Sequence, residues 1–373
     1  MNNHGTAIIV GGSLTGLAAA IALARIGVRV TVLEQTVRFD RGGTGLGVDR
    51  ALLADVVGVD PRADRDQPHL PVIVTSRETS TWHAIRAWLS ALAARVDGLQ
   101  IREGVRVTSV AQAPDSAAAV AGGETFTADI IIGADGYRST VRGAVDPHHA
   151  FAPYAGFLIW RGLVPERVLP ARAVHAHAIG GRLPLPEVAR LIAYHVPGAD
   201  GSVHIGDRQF TFAWYDAART AWSRANGALR GDEVRHSIES ESIDDRLRDE
   251  LRVAARRAWT GITLDIVLHA IDERVIFGTP LTEYYPHLLV NGRLAILGDA
   301  GHVASPMVGH GLALGWLDAH ALAAAVAAEG KPNERALKAY ERARLSESQA
   351  HVAESQRSTR ELLGSLTGRT GVT

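Results

Sequence analysis

The sequence predicts an α/β fold, in which a domain around a parallel sheet is joined to a second domain built on a mostly antiparallel β-sheet plus helices. Three observations carry this. Ala7-Ile8-Ile9-Val10 is a short apolar run that ends in glycines and gives way to an Ala/Leu helix pattern and a second apolar strand. Asp129-Ile130-Ile131-Ile132 is another such run and ends in Gly133-Ala134-Asp135-Gly136. From about Phe151 to Thr263 the pattern changes to strand-like runs separated by turn residues. Continuous apolar strands belong to sheets covered on both faces, and alternating ones to antiparallel sheets.

The first run is organised as a βαβ unit of about 30 residues. Its strand ends in Gly11-Gly12-Ser13-Leu14-Thr15-Gly16, Leu17 to Ile26 reads as a helix, and Gly27 stops it. Val28 to Leu33 then forms the second strand, closed by Glu34. Gly11 allows the tight turn and Gly16 lets helix and strand pack closely. The helix N-terminus offers free N–H groups and positive dipole to a pyrophosphate. Glu34 is placed to accept from ribose hydroxyls. Ser13 stands where a second glycine usually lets the backbone approach phosphate, and its hydroxyl can itself bond a phosphate oxygen. An ADP-containing dinucleotide is expected here; the alternative is a purely structural glycine turn.

Further along, Arg38 to Gly47 is a glycine-dense loop suited to close backbone approach, and Asp60 to Pro71 reads as a linker. Thr79-Ser80-Thr81 caps a helix that carries Trp82, Ile85 and Leu89 on one face. Gln100 to Val110 and Ala117 to Phe126 alternate like antiparallel strands. In the second domain, Phe157 to Leu163, Leu191 to Val196 and Phe210 to Tyr215 read as strands, and Asp232 to Trp259 as helical and charged. A short strand pair turns at Asn291-Gly292. Long helices then span about Leu312 to Ala328 and Glu334 to Thr359, and disorder is expected from about Gly364.

Composition excludes several classes. With 39 Lys plus Arg against 40 Asp plus Glu, the net charge of -1 and the lack of a basic run argue against nucleic acid. The absence of cysteine excludes disulfides, thiolate catalysis and cysteine-ligated metal, and suits a reducing cytosol. No signal-peptide layout and no uninterrupted apolar span are read, so a cytoplasmic protein without a membrane partner is expected, as monomer or homodimer.

Three motifs stand in a fixed order. They are the glycine turn with Glu34; Gly133-Ala134-Asp135-Gly136-Tyr137-Arg138-Ser139-Thr140-Val141-Arg142; and Gly298-Asp299-Ala300-Gly301-His302 running on to Pro306-Met307-Val308-Gly309-His310-Gly311, with Asp318 beyond. Together they resemble the single-component FAD-dependent aromatic hydroxylases with the p-hydroxybenzoate hydroxylase fold, over roughly residues 5 to 345. Thr81-Trp82, Tyr154-Ala155-Gly156, Trp160-Arg161-Gly162, Ala193 to Gly198 and Trp214-Tyr215 look closest to the 2,6-dihydroxypyridine 3-monooxygenase-like branch.

The resemblance implies a Rossmann-like (GR2-type) FAD-binding domain formed by residues 1–150 and 275–345. A substrate-binding β-sheet domain spans 151–274, and 346–373 forms a C-terminal helix and flexible tail. It implies FAD as cofactor, NAD(P)H as co-substrate, and a small aromatic substrate with O2. Implied FAD contacts are Gly11, Ser13, Leu14, Gly16, Glu34, Arg41, Val107, Asp135, Asp299, Pro306, Gly309, Gly311 and Leu312. Asp299 would bond the ribityl and phosphate region, and the loop from Pro306 would run beside the isoalloxazine. Arg142 or Arg138 would hold the nicotinamide donor. The implied reaction reduces FAD, traps O2 as a C4a-hydroperoxide and delivers one oxygen to an electron-rich phenol- or hydroxypyridine-like ring.

The substrate side offers Trp160, Arg161, Tyr194, His195, Arg208, Phe210, Phe212, Trp214 and Tyr215. Alternation puts Phe210, Phe212 and Trp214 on one face and Tyr215 on the other, so they cannot all line one pocket. Three residues are catalytic candidates. Arg161 suits an anionic or hydroxylated ring, and His195 is a base or a satisfied turn residue. His310, between two glycines where the commonest pattern has Gln, is a titrating group near the flavin or a solvated loop residue. Gly301 replaces the family's common second alanine. Alternatives are a flavin-dependent dehydrogenase or oxidase, a halogenase, or a non-catalytic flavin-binding protein. Against a halogenase, whose chemistry needs a lysine, the only lysines are Lys331 and Lys338, both late.

Overall fold

A computed structural model describes residues 5–37, 44–60, 69–75, 77–171 and 190–367. Arg41 with most of its loop, most of the 60–71 linker and the tail beyond Thr367 lie outside the described residues. The chain opens with β1 (Thr6–Val10), α1 (Leu14–Arg25) and β2 (Arg29–Glu34). It continues through α2 (Trp82–Ala93), β3 (Leu99–Glu103), β4 (Ile130–Gly133) and α3 (Thr140–Val145). The second sheet supplies β5 (Tyr154–Pro165), β6 (Arg190–Val196) and β7 (Gln209–Asp216). Helices α4 (Asp245–Ala258) and α5 (Gly261–Asp272) precede β8 (Phe277–Thr282), β9 (Val290–Asn291) and β10 (Leu294–Ile296). Two long helices, α6 (Gly311–Glu329) and α7 (Glu334–Thr367), close the chain.

The larger sheet has six strands in the order β9-β10-β4-β1-β2-β3. β1 runs parallel to both β2 and β4, so Val10 lies beside Leu33 and Gly133 and all three strands end together. Helix α1 is almost wholly buried because its Ala and Leu side chains pack on every side. Close approach fixes one position. A Cβ on Gly16 would lie 2.0 Å from the Gly11 carbonyl oxygen, so only glycine fits.

The second sheet is antiparallel, in the order β6-β7-β5-β8. Leu158, Trp160, Leu191, Phe210, Phe212 and Trp214 pack with α4 and α5 on one face. Phe157, Ile159 and Tyr215 lie on the other, against Met307 and the end of α7. The expected alternation holds, and Trp160, Phe210 and Trp214 are core.

Three sequence readings change. The stretch 100–110 is not one strand, because after β3 the chain turns at Gly104 (φ 75°) and Val107–Gln112 joins a separate three-stranded sheet. Helix α4 begins only at Asp245, where Asp244 caps it by accepting from the Leu247 N–H, and a short strand precedes it at Glu233–Val234. Disorder does not begin at Gly364, since α7 runs to Thr367.

One helix bears on the membrane expectation. Helix α6 has 19 residues with a mean hydropathy of 1.4, long and apolar enough by composition to cross a bilayer. It nevertheless buries Leu314, Trp316, Ala319, Leu322 and Val326 and carries the fully buried Asp318 at a salt bridge. That is the layout of a core helix.

Candidate flavin and substrate site

The C-terminal ends of β1, β2 and β4 and the near face of the second sheet enclose a cavity of about 660 Å³. That volume lies within the usual range for ligand sites, about 300–1,000 Å³. One wall is the glycine turn with Glu34, Asp135 and Val107; another is Asp299 with the loop Ser305 to Leu312. The opposite wall is Arg161, Ile192, Tyr194, Thr211 and Ala213. Of the residues expected to contact FAD, Gly11, Ser13, Leu14, Glu34, Val107, Asp135, Asp299, Pro306, Gly309, Gly311 and Leu312 come together here. Gly16 does not line the cavity; it supports the turn from behind.

The turn is built for an acidic ligand. Gly11 has φ 104°, and a Cβ there would meet the Ala134 carbonyl oxygen at 2.4 Å. Ser13 precedes α1 without a side-chain cap bond, and His310 precedes α6 in the same way. Two helix N-termini therefore open on one cavity with uncapped N–H groups, each favouring negative charge. Glu34 is held ready, since its carboxylate accepts from the Gly12 N–H and the Thr36 N–H, both at 2.7 Å. A Cβ on Gly136 or Gly311 would meet nothing within 4 Å, so the backbone there stands open. These groups fit an ADP-linked flavin: N–H donors for pyrophosphate, a carboxylate for ribose, and bare backbone beside a planar ring.

The two remaining carboxylates have distinct surroundings. Asp135 accepts from the Ser139 hydroxyl and from the Thr140 N–H at 2.7 Å, which ties it to the start of α3. Burial nevertheless pushes its pKa up. Asp299 presents its side chain to the cavity, and desolvation raises its pKa against the opposing pull of His302, Arg142 and Arg161. Behind it, Asp318 accepts from His302 Nε2 at 2.6 Å, from Arg344 Nε at 2.8 Å and from the Gly298 N–H at 3.0 Å.

On the substrate wall, Arg161 reaches the cavity with no hydrogen bond or ion pair to a described residue, and its Nε is buried without a partner. Burial lowers its pKa, yet a guanidinium keeps its proton. The other cations lining the cavity, Arg106 and Arg138, are exposed. Tyr194 donates to the Gly45 carbonyl at 2.6 Å, and the Tyr215 hydroxyl is buried beside Ser305. Burial pushes both phenols up to about 12, so both stay neutral donors.

Three sequence candidates sit elsewhere. His195 lies 4% exposed on the far face, bonded through Nε2 to Glu166 at 3.0 Å and packed on Phe210. Glu166 also holds Arg208 through two bonds, so His195 and Arg208 belong to a buried ion cluster and are no base at the cavity. Arg142 is fully buried and donates to the carbonyls of Ala300, Tyr137 and Asp299, each at 2.8 Å. It pins the second motif to the third and is not free to hold a nicotinamide. His310 is exposed at the cavity rim beside its wall. Ser305, which sequence reasoning did not remark, lines the cavity, and Tyr215, one of the substrate-side candidates, packs against Phe157, Ile159 and Met307.

Comparison with known proteins agrees with this geometry. Residues 77–157 and 226–355, more than half of the chain, match the family described as FAD binding domain. The chain belongs to this FAD-binding family. Residues 154–272 match an FAD binding domain-like family, and residues 9–40 a NAD(P)-binding Rossmann-like domain. FAD is thus the cofactor of a Rossmann-like FAD-binding fold, as the three motifs implied. Among relatives of the FAD-binding protein, the FAD-dependent monooxygenase sor5 of Hypocrea jecorina is 27% identical, over 94% of this chain and 83% of that one. Aurachin C monooxygenase/isomerase of Stigmatella aurantiaca is 26% identical over 94% and 88%. Among solved structures, 2,6-dihydroxypyridine-3-hydroxylase from Arthrobacter nicotinovorans superposes with a TM-score of 0.79 at 21% identity, covering 96% of this chain and 93% of that one. Klebsiella pneumoniae HpxO, complexed with FAD and uric acid, gives 0.71 at 21% identity over 97% and 90%.

Proposed function

We propose that the protein is an NAD(P)H-using, FAD-dependent monooxygenase that hydroxylates a small aromatic or heteroaromatic ring bound as its anion. The observation that carries the substrate class is Arg161, a cation set in the wall opposite the flavin cradle without a carboxylate partner. A half-buried guanidinium whose Nε is buried without a partner among the described residues is costly, and an anionic ring oxygen would satisfy it. The relatives named as FAD-dependent monooxygenases, and neighbours that act on dihydroxypyridine or hold uric acid, support this reading.

When bound, FAD supplies a ring that accepts hydride from a nicotinamide and activates dioxygen. The protein's own part is binding, orientation and exclusion of water. Arg161 holds an ionised hydroxyl and so keeps the ring electron-rich at the carbon to be attacked. Tyr194, whose hydroxyl donates to the Gly45 carbonyl, closes the wall beside Arg161. Ile192, Thr211 and Ala213 form a flat, mostly apolar floor that keeps water from the reacting face.

The test is NADH and NADPH oxidation in air by the FAD-loaded protein, screened with phenols and hydroxypyridines, with ¹⁸O2 to trace the oxygen. Substrate-dependent oxidation with one labelled oxygen in the product supports the reading. A desaturated product without label would replace it with a dehydrogenase.

A further inference from the structure

Tyr154-Ala155-Gly156 takes no part in the flavin site, yet it lines a second cavity of about 520 Å³ between the start of β5 and the end of α7. Gln356, Thr359, Arg360 and Leu363 face that cavity from α7 at helical spacing. The two elements meet closely, since a Cβ on Gly156 would lie 2.8 Å from Leu363 Cδ1. Glu283, which follows β8, also lines the cavity although it is only 5% exposed. Its carboxylate accepts from the hydroxyls of Ser355 and, at 2.9 Å, of Thr359, and it forms no ion pair with a described residue. Burial pushes its pKa up. A buried carboxylate bonded only to neutral groups lacks a cation. The cations that line the same cavity, Arg224 and Arg360, are exposed. Arg224 stands 3.6 Å from the exposed Asp232, longer than a hydrogen bond, so its charge is open to a further anion.

We propose that this cavity binds a free apolar amino acid, its ammonium on Glu283 and its carboxylate on Arg224 and Arg360, and that binding there is felt at the flavin. Each part of such a zwitterion meets a matching group. An ammonium supplies the charge that Glu283 lacks, and a carboxylate suits guanidinium donors. Pro153, Tyr154, Ala155 and Leu363 offer an apolar wall to the side chain. A lone anion would be repelled by Glu283 and Asp232, and a lone cation by the two arginines. The connection to the flavin is a short chain of hydrogen bonds. Ser355, which donates to Glu283, accepts from the Ser305 N–H at 2.7 Å, and Ser305 lines the flavin cavity where its loop begins. An ammonium that draws on the Glu283 carboxylate loosens its hold on the Ser355 hydroxyl and so shifts the loop. By linkage, FAD and the amino acid then change each other's affinity by the same factor. This coupling requires bound FAD and nothing of the hydroxylation chemistry.

The experiment titrates the FAD-loaded protein with L-phenylalanine and with L-leucine by calorimetry, recording the visible flavin spectrum, with no nicotinamide or ring substrate present. Saturable binding and a shift of the flavin bands are expected. For the tighter of the two, the analogue without the ammonium (hydrocinnamate or isocaproate) and the one without the carboxylate (phenethylamine or isoamylamine) should bind roughly tenfold or more weakly, the loss of one charge-assisted bond. Glu283→Gln and Arg360→Ala should each weaken the amino acid by a similar factor, and the exposed Arg360 serves if Glu283→Gln folds poorly. Arg161→Met should leave its affinity unchanged, which separates this site from the substrate wall. Ser355→Ala should bind the amino acid but lose the flavin shift. No saturable binding of either amino acid, or wild-type affinity in Glu283→Gln and Arg360→Ala, overturns the site. A flavin shift that survives in Ser355→Ala overturns the route to the flavin.

Discussion

Replacing Glu34 by alanine tests the cofactor site and its scaffold together. The carboxylate accepts the N–H groups of Gly12 and Thr36, each at 2.7 Å, from a position 6% exposed. Charge-assisted bonds of this kind contribute about 1.5–3 kcal/mol each, so their loss should destabilise the FAD-free protein by roughly 3–6 kcal/mol. At about 2.1 cal/mol/K of unfolding entropy per residue, each kcal/mol shifts Tm by about 1.3 °C in a chain of 373 residues, so Tm should fall by roughly 4–8 °C. The same substitution removes the acceptor for a ribose hydroxyl, which at about 1.5–3 kcal/mol should raise the Kd for FAD roughly 10- to 150-fold. Glu34→Gln, which keeps one acceptor oxygen, should lie between wild type and Glu34→Ala in both measurements. Calorimetry of the FAD-free protein and quenching of FAD fluorescence read the two effects separately. A Tm within a degree of wild type would show that the turn is held by something else. An unchanged Kd would remove Glu34 from the ribose site.

Gly16→Val should prevent stable folding or lower the midpoint in urea by well over 3 kcal/mol, since even a methyl would overlap the Gly11 carbonyl; a cooperative wild-type transition would contradict the close approach. Arg161→Met should keep FAD and lose at least tenfold in kcat/KM on anionic rings while its Tm stays level, because the half-buried guanidinium makes no hydrogen bond or ion pair to a described residue. A clear fall in Tm with activity intact would refute both halves. For the Asp318–His302 pair, burial raises the Asp318 pKa but His302 and Arg344 outweigh it and hold it low. Burial lowers His302, but Asp318 outweighs it and holds it high. A depressed acid stabilises above its unfolded pKa and an elevated base below its own, so the pair contributes fully between about pH 3.9 and 6.5. The stability difference between wild type and Asp318→Asn, from urea midpoints, should be flat from pH 4.5 to 6.5 and shrink above it as His302 loses its proton; a constant difference up to pH 9 would refute the pairing.

The cofactor half of the site was legible because its signals are local. A glycine turn, an uncapped helix start and an acid closing the next strand lie within 30 residues, and each has one physical use. The register of β1 with β2 and β4 then follows from apolar strands of matched length. The substrate half was legible only as alternation: Phe210, Phe212 and Trp214 were correctly set apart from Tyr215, but which face meets the flavin depends on the other sheet. His195 misled because its partner, Glu166, is 29 positions away and carries no pattern that announces it. Arg142 misled for a related reason, since a motif arginine reads equally well as ligand holder or backbone clamp until its three carbonyls are seen. The break after β3 turns on one residue, Gly104, whose positive φ is not distinguishable in sequence from the other glycines.

The division of the second sheet into two faces has an evolutionary consequence. Ile192, Tyr194, Thr211 and Ala213 line the cavity, while their strand neighbours Leu191, Ala193 and Phe210 form a core that rests on different helices. Ile192 and Ala213 can therefore drift in size and polarity with little penalty to folding, whereas Tyr194 and Thr211 are tied by hydrogen bonds to Gly45 in the cavity wall. A lineage carrying this scaffold is free to explore new rings one alternate position at a time.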